Sequence, residues 1–159
     1  MSDKQLFVTS ITDTNASTSH HIDTLGDIRW VGNKCYKYVQ YSTGSGTVAA
    51  TAGSAVVYEG TAGLAGNIVT KDYTDGICVA GILAAAPADN EYCWIQIKGP
   101  VVTTVAFTSA PVAGQPMTIG TADGALTELA ISGNAVANGQ QTVGFAITTD
   151  NDVLLDCPF

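Results

Sequence analysis

The sequence predicts an all-β fold, a compact β-barrel or β-sandwich of about ten short strands with little or no helix. Short β-rich runs, each ended by Gly, Asn, Asp or Pro, recur at intervals of roughly 8–12 residues, a spacing typical of barrels and sandwiches. No window of about 11 residues carries apolar side chains at helical spacing. The clearest strand covers residues 91–101. Within it, bulky Ile97 stands between polar Gln96 and Lys98, which indicates a strand with two different faces and places Gln96 and Lys98 on the wetter one.

The individual elements follow from their local residues. Residues 28–31 and 35–41 are β-like runs, and the Gly32-Asn33 dipeptide between them favours a tight hairpin turn. Residues 60–66 are small and are predicted to form a loop, whereas one helical turn is predicted at residues 83–88. The other predicted extended runs cover residues 48–52, 54–59, 67–70, 77–83, 101–108, 117–119, 126–131, 142–148 and 153–157.

The domain organisation is predicted from length and composition. The chain has 159 residues, which is enough for one domain with its own hydrophobic core. We expect an N-terminal arm over residues 1–24, rich in Ser, Thr and Asp, and a single β domain over residues 25–159. Two interpretations of the arm are open: docking onto a neighbouring subunit, or a partly disordered terminus or edge strand of the same domain. The arm holds one small apolar cluster, formed by Leu6, Phe7, Val8 and Ile11.

Composition narrows the classes of partner. The formal net charge is −8 and charged residues make up 13% of the chain, about half the usual share. A surface with few charges and much Ala, Gly and Thr is suited to packing against a partner, which favours an oligomer or a larger assembly. Binding to nucleic acid or to an anionic membrane requires basic patches, and the chain has no basic run. We therefore expect no direct nucleic-acid or membrane partner.

The expected compartment bears on the four cysteines. The N-terminal residues lack the apolar stretch of a signal peptide, and no window approaches the about 20 apolar residues of a transmembrane helix. We therefore expect synthesis and folding in the cytoplasm, where reduced core thiols are favoured and a disulfide is the alternative. The cysteines, which form no CxxC pair and fit no zinc spacing, are Cys35, Cys78, Cys93 and Cys157.

Catalytic and ligand-binding motifs are weak. His20, His21 and Asp23 could form a metal or acid–base cluster, but they lie in a polar stretch without metal-ligand spacing, so solvated loop residues are favoured. Residues 44–49 match the letters of a dinucleotide fingerprint, yet no good helix start follows them, so a loop is favoured. A small hydrolase with a site built across subunits from either histidine is a remaining alternative.

Acidic and aromatic residues also have two interpretations. Asp72 with Asp75, and the Asp150-Asn151-Asp152 run, could offer oxygen ligands for calcium, but their spacing differs from that of an EF-hand and turn formation is favoured. Trp30 and Trp94 could stack on sugars, although packing in the core or at a subunit interface is favoured. The sequence therefore predicts no enzyme, no cofactor and no metal site.

The order of glycines and strands resembles a known family. The similarity extends over residues 25–148 and leaves out the N-terminal arm and the Cys-Pro-Phe ending. On these segments the chain resembles the capsid decoration, or cement, proteins of tailed bacteriophages. The segments are Leu-Gly-Asp-Ile-Arg-Trp-Val-Gly-Asn-Lys-Cys-Tyr-Lys-Tyr-Val at 25–39, Asp-Gly-Ile-Cys-Val-Ala-Gly-Ile-Leu at 75–83, Tyr-Cys-Trp-Ile-Gln-Ile-Lys-Gly-Pro-Val at 92–101, Pro-Val-Ala-Gly-Gln-Pro-Met-Thr-Ile-Gly at 111–120 and Asp-Gly-Ala-Leu-Thr at 123–127.

The resemblance implies a virion structural protein without enzymatic activity. Such a protein binds the outer surface of the assembled capsid, often as a homotrimer, and stabilises it by bridging subunits of the major capsid protein. The alternative is a carbohydrate- or receptor-binding β domain of a phage spike or fibre. The residues expected to contribute capsid or inter-subunit contacts are Leu6, Phe7, Val8, Ile11, Trp30 and Trp94.

Overall fold

The computed structural model describes residues 7, 9–16, 23–101, 105–129, 142–148 and 152–157, with only the backbone of residue 77. Over these residues the chain is mostly β, with ten strands in one sheet and a single short helix. This confirms the predicted all-β class. Among the residues described, no helix has the length and apolar character needed to cross a membrane.

The strands follow one another in chain order, with one helix between the third and the fourth. The helix α1 spans Gly60–Gly66. The strands are β1 (Ile28–Val31), β2 (Lys34–Ser42), β3 (Ala55–Glu59), β4 (Ile68–Thr70), β5 (Gly76–Leu83), β6 (Tyr92–Val101), β7 (Pro116–Ile119), β8 (Leu126–Glu128), β9 (Gly144–Ala146) and β10 (Val153–Asp156).

The sheet is a ring of strands with an extension. Its strand order is β1-β2-β4-β3-β5-β6-β10-β9-β7-β8, and an additional pairing joins β2 to β6. That pairing closes a ring of β2, β4, β3, β5 and β6, which is not a clean barrel. The strand β1 continues the sheet beyond β2 as a hairpin, and Gly32 in its turn has a φ of 61°, a value that glycine adopts readily. The end of β6 leaves the ring and pairs with β10, which starts the extension β10-β9-β7-β8.

Two apolar clusters lie on opposite sides of β2 and β6. The larger cluster fills the ring and continues under the extension. The smaller one is aromatic and consists of Tyr36, Tyr38 and Trp94. The larger includes Val39, Tyr41, Val56, Ile95, Ile97 and Leu155.

The strand β6 is therefore covered on both faces, which differs from the expectation that Gln96 and Lys98 lie on a wet face. Gln96 is only 6% exposed. The reason is tertiary, because part of the N-terminal segment lies against the face of β6 that carries Trp94 and Gln96. Lys98 lies nearer the end of the strand and is partly exposed.

Some predicted elements are wrong. Residues 60–66 form α1 and not a loop, residues 83–88 contain no helical turn, and residues 48–52 form no strand. The small residues that suggested a loop let the helix pack closely, since a Cβ on Gly63 would lie 2.7 Å from the carbonyl oxygen of Ile68. The helix ends at Asn67, whose left-handed backbone lets its N–H donate to the carbonyl of Gly63.

Candidate docking surfaces

The N-terminal segment docks on the aromatic cluster of its own chain. The Phe7 ring meets Trp94 edge-on, with ring centroids 5.7 Å apart and an interplanar angle of 74°. The Arg29 guanidinium lies 5.4 Å from the centroid of Phe7 and 6.0 Å from that of Trp94. The same guanidinium donates to the carbonyl oxygen of Thr9 at 2.8 Å. Arg29 therefore holds both the ring and the backbone of the segment.

A second set of hydrogen bonds centres on the Thr9 hydroxyl. It accepts from the indole N–H of Trp94 at 2.9 Å and donates to the carboxylate of Asp23. Asp23 is 3% exposed and also accepts from the backbone N–H of Thr9 at 3.2 Å. The buried indole N–H and the buried carboxylate are thus both satisfied through a single hydroxyl.

Further along, the segment pairs with the start of β6. Asn15 and Tyr92 form an antiparallel bridge in which each N–H donates to the other's carbonyl, at 3.0 and 2.8 Å. The Asn15 side-chain amide also donates to the Tyr38 hydroxyl at 3.3 Å. The described part of the arm therefore lies across the outer face of β2 and β6.

The structure separates the residues expected to make capsid or inter-subunit contacts. Phe7 and Ile11 pack against the aromatic cluster, and Trp94 is fully buried within its own chain. Trp30 is 61% exposed. It follows Arg29 on β1, so its side chain points to the opposite face of that strand, and β1 itself lies outside the ring of strands. Leu6 and Val8 lie outside the described residues. A contact between any of these residues and another subunit stays a prediction.

A second surface was missed by the sequence reasoning. Leu154 on β10 is the register partner of Phe145 on β9, and these side chains are 46% and 48% exposed. Leu154 also faces Pro100 on β6, and Phe145 faces Pro116 on β7. Since adjacent strands lie about 4.8 Å apart, this row of four apolar residues is roughly 14 Å wide.

The row belongs to a larger exposed surface. Ile147, two residues after Phe145, is 43% exposed. We call Pro100, Pro116, Phe145, Ile147 and Leu154 the β9–β10 patch. An ion pair between Lys98 and Asp156, at 3.0 Å, lies beside it. An apolar surface with a charged rim is typical of an interaction site.

The polar loop motifs form local structure. Asp75 accepts from the backbone N–H of Ser45 at 2.5 Å, and Asp72 accepts from that of Gly46 at 2.9 Å. The hydroxyl of Thr74, followed by backbone N–H groups, holds the pKa of Asp72 below its usual range. No helix follows residues 44–49, as the loop interpretation predicts.

Most of the remaining candidate ligands cannot be placed in the structure. His20 and His21, together with Asp150 and Asn151, lie outside the described residues. Among the residues that the structure does describe, no group of three or more His, Cys, Asp or Glu side chains is arranged to hold a metal ion.

The cysteines are all free thiols in the structure, in line with the favoured interpretation. Cys35, Cys93 and Cys157 are buried, whereas Cys78 is partly exposed. Burial raises the pKa of Cys93 and of Cys157 to about 12. These two thiols therefore behave as core side chains and are poor nucleophiles.

One lysine reaches the interior of the ring. The Lys37 ammonium donates to the Tyr58 hydroxyl at 2.8 Å and lies 5.1 Å from the centre of its ring. Burial lowers the pKa of Lys37 and raises that of Tyr58 to about 12. The two groups satisfy each other, so this pair is explained by structure alone.

Comparisons with known proteins do not identify a relative. No protein-family model, no curated protein and no solved structure matches the chain. A functional proposal for this protein therefore rests on its own residues and surfaces.

Proposed function

We propose that this protein is a virion structural protein that binds the outer surface of a tailed-phage capsid. In this role it stabilises the capsid by bridging subunits of the major capsid protein. The observation that carries the proposal is the β9–β10 patch, which presents a row of apolar side chains on the exposed face of β6, β10, β9 and β7. The sequence segments that resemble decoration proteins support the same role.

The mechanism is the burial of surface across joints between capsid subunits. An interface of ~1,000–2,000 Å² per copy holds well when several contacts engage together. Phe145 and Leu154 stand at the middle of the row, where aromatic and aliphatic anchors contribute most of the binding energy. Repetition of such a contact by the symmetry of the capsid multiplies its effect on particle stability.

The oligomeric state belongs to the same proposal. We propose a homotrimer, as the resemblance implies, with the low fraction of charged residues suiting a surface that is partly covered by neighbouring copies. Light scattering of the free protein tests this part. A particle with the mass of one chain at all concentrations would contradict a trimer in solution.

Capsid binding is tested by co-sedimentation with empty heads assembled from the major capsid protein of the same genome. We expect the wild-type protein to sediment with the heads at a fixed ratio. The double variant Phe145→Thr with Leu154→Thr should bind at least ~10-fold more weakly, because it removes the central anchors. The control is Leu64→Gln on α1, since Leu64 is as exposed as Leu154, at 46%. Failure of the wild type to sediment, or equal binding by all variants, would contradict the proposal.

A second candidate function is carbohydrate or receptor binding, and the exposure of Trp30 favours it. An exposed indole on an edge hairpin can stack on the apolar face of a sugar. A glycan array with the wild-type protein and the Trp30→Ala variant tests this function. The control is Val31→Ala, which changes the neighbouring exposed residue on the other face of β1. Binding to a glycan that only Trp30→Ala abolishes would favour this function over capsid decoration.

A further inference from the structure

A cavity of about 320 Å³ opens between the sheet and the N-terminal segment. This volume lies within the range of small-molecule sites. Its walls come from β2, β5 and β6, from the loop before β3, and from the docked arm. The polar and apolar side chains of this lining include Lys34, Tyr36, Ile82, Gln96 and Val101.

Two polar groups that line this cavity have no hydrogen-bond partner among the described residues. Tyr36 is 9% exposed, and its hydroxyl forms no hydrogen bond with any described residue. Gln96 is 6% exposed, and its amide nitrogen donates to the carbonyls of residues 98, 99 and 100 at 3.1 to 3.2 Å. These three carbonyls determine the orientation of the amide, so its carbonyl oxygen is the group left without a donor in the described part of the chain.

The Tyr36 hydroxyl and the Gln96 amide oxygen, both without a partner among the described residues, call for an explanation. Buried hydroxyl and amide groups in proteins nearly always have a hydrogen-bond partner, which is a protein group, an ordered water or a bound molecule. Tyr36 and Gln96 are register partners on β2 and β6, so their side chains project from the same face, side by side. Together they offer one O–H donor and one carbonyl acceptor to a molecule inside the cavity.

The remaining walls restrict the chemistry of that molecule. The Lys34 ammonium forms no ion pair or hydrogen bond with the described residues, and among the described lining residues it is the positively charged group. Ile82 and Val101 supply an apolar wall and are 2% and 3% exposed. A matching ligand therefore carries one negative charge, some hydroxyl groups and a compact skeleton with an apolar face.

We propose that this cavity binds a small hydroxylated carboxylic acid with a single ring, of which a hexuronic acid is the simplest example. The carboxylate binds the ammonium of Lys34. Ring hydroxyls accept from Tyr36 and donate to Gln96, and the C–H face of the ring packs on Ile82 and Val101. A carboxylate fits better than a phosphate, because the described part of the lining holds one cation and the chain has a net charge of −8.

The proposal goes beyond capsid decoration and does not depend on it. The cavity lies on the side of β6 that the arm covers, and its lining includes none of the residues at the centre of the β9–β10 patch. Loss of capsid binding and loss of acid binding are therefore separate results, obtained with different variants.

The test is a titration of the full chain with D-glucuronate, followed by ¹⁵N–¹H NMR. We expect saturable shifts at residues around the cavity, with D-glucose at least ~10-fold weaker because it lacks the carboxylate. Lys34→Gln should weaken glucuronate binding by ~10-fold or more and leave glucose binding unchanged. Its control is Lys71→Gln, a lysine outside the cavity lining. Absence of saturable binding, or equal affinity for the acid and for glucose, would overturn the proposal.

Tyr36→Phe separates a binding role from a structural one. The substitution removes only the hydroxyl, so glucuronate affinity should fall by ~10-fold, whereas Tyr73→Phe on the exposed surface should leave it unchanged. Because the hydroxyl has no partner within the described chain, we expect the Tm of the ligand-free Tyr36→Phe variant to equal or exceed that of the wild type. A lower Tm would show that the hydroxyl is satisfied without a ligand, for example by bound water, and would overturn the proposal.

Discussion

Leu154 lies directly opposite Phe145 across β10 and β9, and each side chain is nearly half exposed to solvent. Their neighbours in the adjacent strands, Pro100 and Pro116, continue the same row. Neither proline can donate a backbone hydrogen bond, and both stand near strand ends, where Pro is tolerated: Pro116 is the first residue of β7 and Pro100 the next to last of β6. The result is an apolar surface built by four strands, of which β6 and β7 are distant in sequence from the consecutive pair β9 and β10.

The first prediction concerns this surface in the free protein. Phe145→Thr with Leu154→Thr should lower retention on a hydrophobic-interaction column without lowering the Tm by more than a few degrees. The physical reason is that both side chains are exposed and Thr keeps a high preference for strands. Leu64→Gln serves as the control for removal of one exposed leucine elsewhere. A cooperative loss of folding in the double variant would show that the row is a buried core in solution.

The second prediction concerns the Thr9 hydroxyl, which links Trp94 to Asp23. Thr9→Val removes the acceptor of the indole N–H and one donor of the buried carboxylate. We expect a loss of about 1–3 kcal/mol in the free energy of unfolding, because groups left buried without partners cost this much. Urea unfolding monitored by tryptophan fluorescence measures it.

The control for this variant is Ser10→Ala, since the Ser10 hydroxyl is exposed and, among the described residues, bonds only to Thr12. Its free energy of unfolding should stay within about 0.5 kcal/mol of the wild type. Equal stability of Thr9→Val and Ser10→Ala would mean that the arm is not docked on Trp94 in solution.

The third prediction concerns the pH dependence that Asp72 confers. Its pKa is lowered in the folded state from the ordinary value of 3.8, first through the Thr74 hydroxyl and then through backbone N–H groups. A lowered pKa stabilises the fold above the unfolded-state value, and this stabilisation is lost as pH falls through the folded-state pKa. Asp72→Asn should therefore have a lower free energy of unfolding than the wild type at about pH 7. This difference should become smaller below about pH 4.

Urea titrations of both proteins across this pH range provide the measurement. In a Thr74→Val background, Asp72→Asn should cost less stability at neutral pH than it does in the wild type, because the first cause of the shift has been removed. A difference in the free energy of unfolding that increases on acidification would have the wrong sign, and it would contradict a lowered pKa for Asp72.

The fourth prediction concerns thiol reactivity. At about pH 8 an alkylating reagent should modify Cys78 first, since it is partly exposed, and Cys93 and Cys157 much more slowly, since burial keeps them protonated. Mass spectrometry of the native and urea-unfolded protein distinguishes the sites. All four thiols should react after unfolding without a reductant, and detection of a disulfide-linked peptide pair would contradict the structure.

The fifth prediction compares two glycines with a similar backbone. Gly99 and Gly114 have φ values of 91° and 82°, so Ala at either position costs roughly 1 kcal/mol in backbone strain. A Cβ on Gly99 would also overlap the carbonyl oxygen of Asn33, whereas no atom of the described residues lies within 4 Å of a Cβ on Gly114. We expect Gly99→Ala to lower the free energy of unfolding by on the order of 3 kcal/mol or more, and Gly114→Ala by much less. Similar losses for both variants would show that backbone strain alone accounts for the effect.

Local pattern was sufficient for some elements and misleading for others. The hairpin at Gly32-Asn33 and the strand β6 were predicted correctly, because turn chemistry and alternation act over a few residues. The loop predicted over residues 60–66 is wrong, since close packing of Gly63 on β4 lets a short helix form from small residues. The prediction that Gln96 lies on a wet face is also wrong, because residues far away in the chain, including those of the arm, cover that face of β6.

The class of the protein could be read from its residues alone: all-β, acidic, with short strands and with cysteines in apolar contexts. Those properties depend on composition and on periods of a few residues, which a single chain displays directly. Tertiary structure alone decided that Leu154 meets Phe145, that Tyr36 and Gln96 share a cavity, and that Trp94 is covered by Phe7 while Trp30 is exposed. These contacts depend on strand register. The pairing of distant strands is set by how much apolar surface the whole sheet buries and not by any local residue.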